Sequence, residues 1–189
     1  TLSLPFEDFI VIVAPCPLEA EAREGWMSRI RAVDRIFENV PRVYLDPYSG
    51  APDGPPAAKV HGSRVVEVRI APSRADHHAL LETLVVTSRF VYVHTAHLGR
   101  FLLPFYPTGK IVTDMHGIVP EEERMLGRPT VATFYEGVER VILKTSRLIV
   151  VVTEAMRDHL LAKHPDSNAS FLCLPIIESY AAESGDRVP

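Results

Sequence analysis

Residue types able to do acid–base or binding chemistry stand directly behind apolar runs in this sequence. Val112-Thr113-Asp114-Met115 leads into His116 and Gly117, and Glu121, Glu122 and Glu123 follow closely. An imidazole delivered there can bind, orient or exchange a proton near neutral pH, and Gly117 lets the chain leave sharply. His94 and His97 follow another run, and Thr153 with Glu154 follows Leu148-Ile149-Val150-Val151-Val152. The structural alternative for each histidine is a ring bonded to nearby backbone, fixing a loop or capping a strand end.

Other chemistries can be weighed against the same residues. His94, His97, Asp114 and His116 offer imidazole and carboxylate suited to zinc or iron, as in a metal-dependent hydrolase. No His-Glu-x-x-His pair or comparable helical ligand spacing accompanies them, so no metal is expected. A dinucleotide site would require a glycine-rich turn after the first strand; the turn at 15–25 carries Pro15, Pro17, Glu19, Glu21 and Glu24, with Gly25 its only glycine. That loop reads as an exposed connection or as a lid over an acceptor bearing hydroxyl groups. His77 and His78, at a helix start, read as a solvated pair.

These residues need elements to position them. Short β-branched runs at 9–14, 42–46, 64–70, 90–94, 110–114, 148–153 and 170–174 predict strands, the first and sixth apolar on both faces and so central, the third alternating and nearer an edge. Trp26, Ile30, Val33, Phe37 and Val40 fall at helical spacing ahead of Pro41. Further helices are expected over 76–88, from Pro129 onward, and over 154–163 with Thr153 as N-cap. Strands alternating with helices imply right-handed crossovers and an α/β fold: a Rossmann-like, open, mainly parallel sheet with helices on both faces. Its ligand crevice lies outside the carboxyl ends of the strands, where the histidines sit. The Pro- and Gly-rich stretch at 47–56 reads as a loop.

Composition narrows the partners. A hydrophobic fraction of 47% with 23% charged residues is that of a globular domain, and 189 residues suffice for one. The net charge of -4 offers no basic field for a phosphate backbone, so nucleic acid is not an expected partner. Cys16 and Cys173, far apart among apolar and proline residues, suit thiols in a reducing cytoplasm. No run is long enough to span a bilayer, which predicts a cytoplasmic protein. The apolar stretch 98–107, interrupted by Arg100, reads as a buried turn or as a peripheral contact with the inner face of the membrane. A start at Thr1 and a polar end at 183–187 suggest a piece of a longer polypeptide.

The order of motifs resembles a known family. Val112-Thr113-Asp114-Met115-His116-Gly117, a following helix with Glu136 and Glu139, and Val152-Thr153-Glu154-Ala155-Met156-Arg157 together resemble the retaining GT-B-type glycosyltransferases of the glycosyl transferase group 1 kind. Phe171-Leu172-Cys173-Leu174-Pro175 is similar to the family's last strand and proline turn. The resemblance implies that residues 1–178 are the amino-terminal, acceptor-side lobe and that 179–189 run toward a missing carboxy-terminal domain that grips the donor. It implies a nucleotide-sugar donor, as substrate rather than cofactor, and a glycosyl acceptor. His116 matches the family histidine beside the transferred sugar, a catalytic-site position; from their place after the strands, His94, His97, Gly117, Glu121 and Glu154 are the crevice, substrate-binding candidates. The lobe alone is expected to be inactive. The rival expectation is a non-enzymatic Rossmann-like domain that binds a small molecule or protein at the same loops.

Overall fold

The computed structural model describes residues 4–18, 25–47 and 54–175, with backbone alone at Gly25 and Trp26. The expected lid at 19–24, most of the 47–56 loop, the Trp26 side chain and the linker at 179–189 lie outside the described residues.

Parallel strands β1 (Ile10–Val13), β2 (Arg42–Asp46), β4 (Val65–Arg69), β5 (Val91–His94), β6 (Ile111–Met115), β7 (Leu148–Val151) and β8 (Phe171–Cys173) form one sheet with the antiparallel edge strand β3 (Ala57–His61). Their order is β3-β4-β2-β1-β5-β6-β7-β8. Strand order therefore reverses direction between β1 and β5, which opens a crevice at their carboxyl ends. β3 was not legible in the sequence, and it, rather than β4, forms the edge. Ala57, Ala58, Lys59 and Val60 are exposed, so this strand carries no buried face to leave a pattern.

Side-chain alternation divides the core in two. Val11, Val13, Val43, Leu45, Val93, Ile111, Met115, Ile149 and Val151 point to one face. There they meet α2 (Ala75–Thr87), α5 (Pro129–Thr145), α6 (Glu154–Lys163) and a 3₁₀ segment (Arg100–Thr108). Ile10, Ile12, Tyr44 and Tyr92 point to the other face, against Met27, Ile30 and Val33 of α1 (Gly25–Ile36). Helix α1 ends at Ile36, before the expected stop at Pro41; the chain then turns, with Val40 N donating to the Phe37 carbonyl at 2.9 Å and the buried Arg42 guanidinium donating to the carbonyls of Phe37 at 3.1 Å and Val40 at 3.2 Å.

Two short helices follow the site strands: α3 (Ala96–Gly99) after β5 and α4 (Val119–Met125) after β6. In the apolar stretch 98–107, Leu98, Leu102, Phe105 and Tyr106 are buried in the core, Phe101 and Leu103 are half-buried, and Pro104 and Pro107 are exposed. Thr153 caps α6 as expected, its Oγ1 accepting from Met156 N at 3.1 Å. The solvated reading of His77 is overturned: the ring is fully buried, Nδ1 accepts from Ala71 N at 2.7 Å, and Nε2 donates to the Gly54 carbonyl at 3.1 Å. His78 is exposed, near the Phe105 ring. No helix among the described residues is long and apolar enough to cross a membrane.

Candidate functional site

Strands β5 and β6 run parallel with His94 in register with Asp114. Alternation places Tyr92, His94 and Asp114 on the α1 side of the sheet, and His116, two residues beyond Asp114, continues on that side as the strand ends. On the opposite face Thr113 Oγ1 is hydrogen-bonded to Tyr106 at 3.1 Å and to Ser146 at 3.0 Å, which fixes β6 to the 3₁₀ segment and to the end of α5.

Asp114 is completely buried and organises the cluster. Arg29 of α1 holds it bidentately, Nε to Oδ2 at 2.6 Å and Nη2 to Oδ1 at 2.7 Å, and the Tyr92 hydroxyl donates to Oδ2 as well. A third guanidinium bond reaches the Leu174 carbonyl at 3.1 Å, tying α1 to the segment after β8. Burial works against the Arg29 charge, but the bonds to Asp114 outweigh it and raise the pKa. Tyr92 is raised by burial and by the neighbouring carboxylate.

Against this fixed pair lie the two imidazoles. His94 and His116 stack with centroids 4.4 Å apart and planes 30° from parallel. His94 is 2% exposed; burial, then the neighbouring His116, pushes its pKa down to about 3. His116 is half-buried and is also lowered by burial, so both rings are neutral at pH 7. His116 Nδ1 is shielded from solvent and has no hydrogen-bond partner among the described residues. A polar atom so placed costs about 1–3 kcal/mol until a ligand or water atom satisfies it.

The remaining candidates separate. His97 follows Thr95 onto α3, packs edge-on against Tyr135 at 4.8 Å, and shares the electrostatic field of His116 and Glu122. Gly117 does not need a left-handed backbone; a Cβ there would meet only the end of the exposed Glu122 side chain, colliding with Oε1 and lying 3.0 Å from Cδ. Glu121 was expected at the crevice but turns to α6, bonding Lys163 at 2.8 Å with His159 3.5 Å away. Glu154 is exposed at the carboxyl end of β7, paired with Arg157 and beside Cys173. His116, His97 and Gly117 thus form a histidine rim at the strand ends, with His94 buried behind the His116 ring.

Sequence reasoning missed Arg29 and Tyr92, gave Glu122 no role of its own, and gave Asp114 a chemical role only as a metal ligand. One signal was available: Arg29 lies on the helical stripe of Met27, Ile30 and Val33, where a charge must find a buried partner. A second feature is conformational. Thr95 adopts φ 92°, a strained region for a β-branched residue, directly after His94 and two residues before His97. Such strain costs of order 1–3 kcal/mol and concentrates at functional sites. Its carbonyl accepts from Leu98 and Gly99, which starts α3 abruptly and turns His97 back to the rim.

A metal at His94, Asp114 and His116 would find donor atoms within 4.8 Å of one another. Both Asp114 oxygens, however, already accept from a guanidinium whose side chain is 3% exposed, and a second cation beside that unscreened charge is disfavoured.

No protein-family model and no curated protein matches the sequence. Among solved structures the chain is similar to sucrose-phosphate synthase from Thermosynechococcus elongatus, with TM-score 0.58 and 14% identity over 90% of this chain and 48% of that one. The fold they share is an α/β, Rossmann-like one built on a mainly parallel sheet. It spans about half the length of that synthase chain. A second similar chain, described as trehalose-6-phosphate from E. coli bound with UDP-2-fluoro glucose, has TM-score 0.48 and 13% identity over 82% of this chain and 42% of its own.

Proposed function

We propose that this lobe is the acceptor-side half of a glycosyltransferase that moves a sugar from a nucleotide-sugar donor, with residues 1–178 forming the lobe and 179–189 leading to a second, donor-gripping domain. The observation that carries the reading is the half-buried His116 ring just beyond the carboxyl end of β6, stacked on His94, with an Nδ1 that has no hydrogen-bond partner among the described residues. Support comes from the half-chain likeness to sucrose-phosphate synthase and from the motif order around Asp114, His116 and Thr153.

In this reading His116 acts as a neutral hydrogen-bonding group. Burial disfavours the imidazolium, so the ring orients the transferred sugar and donates to charge developing on the reacting oxygens, without supplying a full positive charge. His94 backs the ring by stacking, and Arg29, Asp114 and Tyr92 keep β5, β6 and α1 in fixed relation. That arrangement is the preorganisation an electrostatic role requires. No cofactor takes part; the nucleotide sugar is itself the substrate, and acceptor hydroxyls approach from this lobe. His97 and Gly117 border the sugar, with the Glu122 carboxylate beside them.

The test uses the full-length polypeptide that carries this lobe, incubated with a panel of nucleotide sugars while nucleoside diphosphate release is followed. Release from at least one donor, stimulated by an acceptor carrying hydroxyl groups, is expected. A folded protein that releases none, with or without acceptors, would refute the transferase reading and favour a non-enzymatic binding domain.

A further inference from the structure

Away from the histidine rim, three unlike donors meet on the α1 side of the sheet toward the β3 edge. Cys16 follows β1, His61 closes β3, and Glu67 stands in the middle of β4; a sulfur, an imidazole nitrogen and a carboxylate oxygen all lie within 4.8 Å of one another. The register accounts for the meeting. Lys59 pairs with Glu67, so His61, two residues along β3, shares the face of Glu67. The chain leaving β1 then folds Cys16 back against Tyr44, in the core beneath α1.

We propose that Cys16, His61 and Glu67 form a binding site for a divalent cation of borderline-soft character, zinc above all, which ties the loop after β1 to the β3–β4 hairpin. Thiolate, imidazole and carboxylate together are the donor chemistry of zinc, whereas calcium and magnesium take oxygen alone. Three atoms no more than 4.8 Å apart have a common point within about 2.8 Å of each, and contraction by about 0.5–0.8 Å reaches zinc bond lengths of about 2.0–2.3 Å.

The surroundings favour a cation here and not at Asp114. Glu67 gives one oxygen to Arg69 Nε at 2.7 Å, while the other, Oε2, faces His61 Nε2 at 3.2 Å and is the oxygen in position to bind. Arg69 is 43% exposed at its side chain, so water screens its charge; the Arg29 side chain beside Asp114 is almost fully enclosed. Of the other nearby charges, Asp34 and Arg42 are paired with each other at 2.6 Å, and Lys59 stands opposite Glu67 in the β3–β4 ladder, on an exposed edge where water screens it. Burial, together with Glu67 and Asp34, pushes the Cys16 thiol up to about 11, so without a cation it is protonated. Binding transfers that proton to solvent and forms a metal–sulfur bond, which makes affinity increase with pH.

Cobalt(II) occupies such sites and reports thiolate ligation through an intense near-ultraviolet charge-transfer band. It is titrated into the metal-stripped 189-residue chain, with zinc then added as competitor. The proposal requires the band to saturate at one equivalent, to be displaced by zinc, and to be absent in Cys16→Ser. His61→Ala should weaken cobalt affinity at least tenfold, and zinc should raise the melting temperature of the wild type but not of Cys16→Ser. Absence of the band in the wild type, or its persistence in Cys16→Ser, would overturn the site. Should Cys16→Ser fail to fold, the decision passes to His61→Ala and Glu67→Gln, and unchanged cobalt affinity in both, with native circular dichroism, would overturn it equally.

Discussion

Acidification from pH 7 to pH 5 should destabilise the protein through His94. The folded ring stays neutral down to about pH 3, whereas in the unfolded chain it takes a proton near its ordinary value of 6.5. Between those values the unfolded state holds more protons, so the stability tied to the neutral ring is fully present above 6.5 and falls as pH falls through that value. Integrating the difference from pH 7 to pH 5 gives about 2 kcal/mol from His94 alone. His97 and His116, lowered by burial as well, act in the same direction. Glu67 and Glu121 do not confuse this window, since carboxylates held below 4.5 lose their contribution only at lower pH. Urea unfolding followed by far-ultraviolet circular dichroism at pH 5, 6 and 7 measures the effect in wild type and in His94→Gln. The variant should show a pH 5-to-7 stability difference smaller by about 2 kcal/mol. Equal slopes in the two proteins would refute the burial of a neutral ring at this position.

The site makes two more demands. Arg29→Leu leaves Asp114 buried without its cation and should cost about 3–5 kcal/mol by urea denaturation, with much of the loss recovered in Arg29→Leu/Asp114→Asn; an equally unstable double variant would show that the carboxylate is not the cause. Gly117→Ala displaces only the end of an exposed Glu122, so it should change stability by no more than about 1 kcal/mol while lowering sugar transfer by the full-length protein; a large loss of stability would contradict the packing described at Gly117.

The sheet was legible because its central strands are apolar on both faces, as at Ile10–Val13 and Leu148–Val151, and because Pro129 and Thr153 carry local start signals that tertiary structure did not override. β3 was not legible, being an exposed edge strand with no alternating pattern. His116 at a strand end could be read from chain order alone. What surrounds it could not: the Arg29–Asp114 pair joins residues 85 positions apart, and only the register of β5 with β6 brings His94 against His116. His77 escaped for the same reason, since its burial depends on a carbonyl 23 residues away. Glu121 and Glu122 differ by one step on a helix, about 100° of rotation, and that step sends one to α6 and the other to the rim.

The most direct measurement is kcat/KM for sugar transfer by the full-length polypeptide carrying this lobe, compared between wild type and His116→Ala at equal melting temperature. Removing a preorganised hydrogen-bonding group that acts at the reacting oxygens should lower it by about 100-fold or more. A fall of less than about tenfold in a folded variant would place His116 outside the reaction and contradict the catalytic role proposed for it.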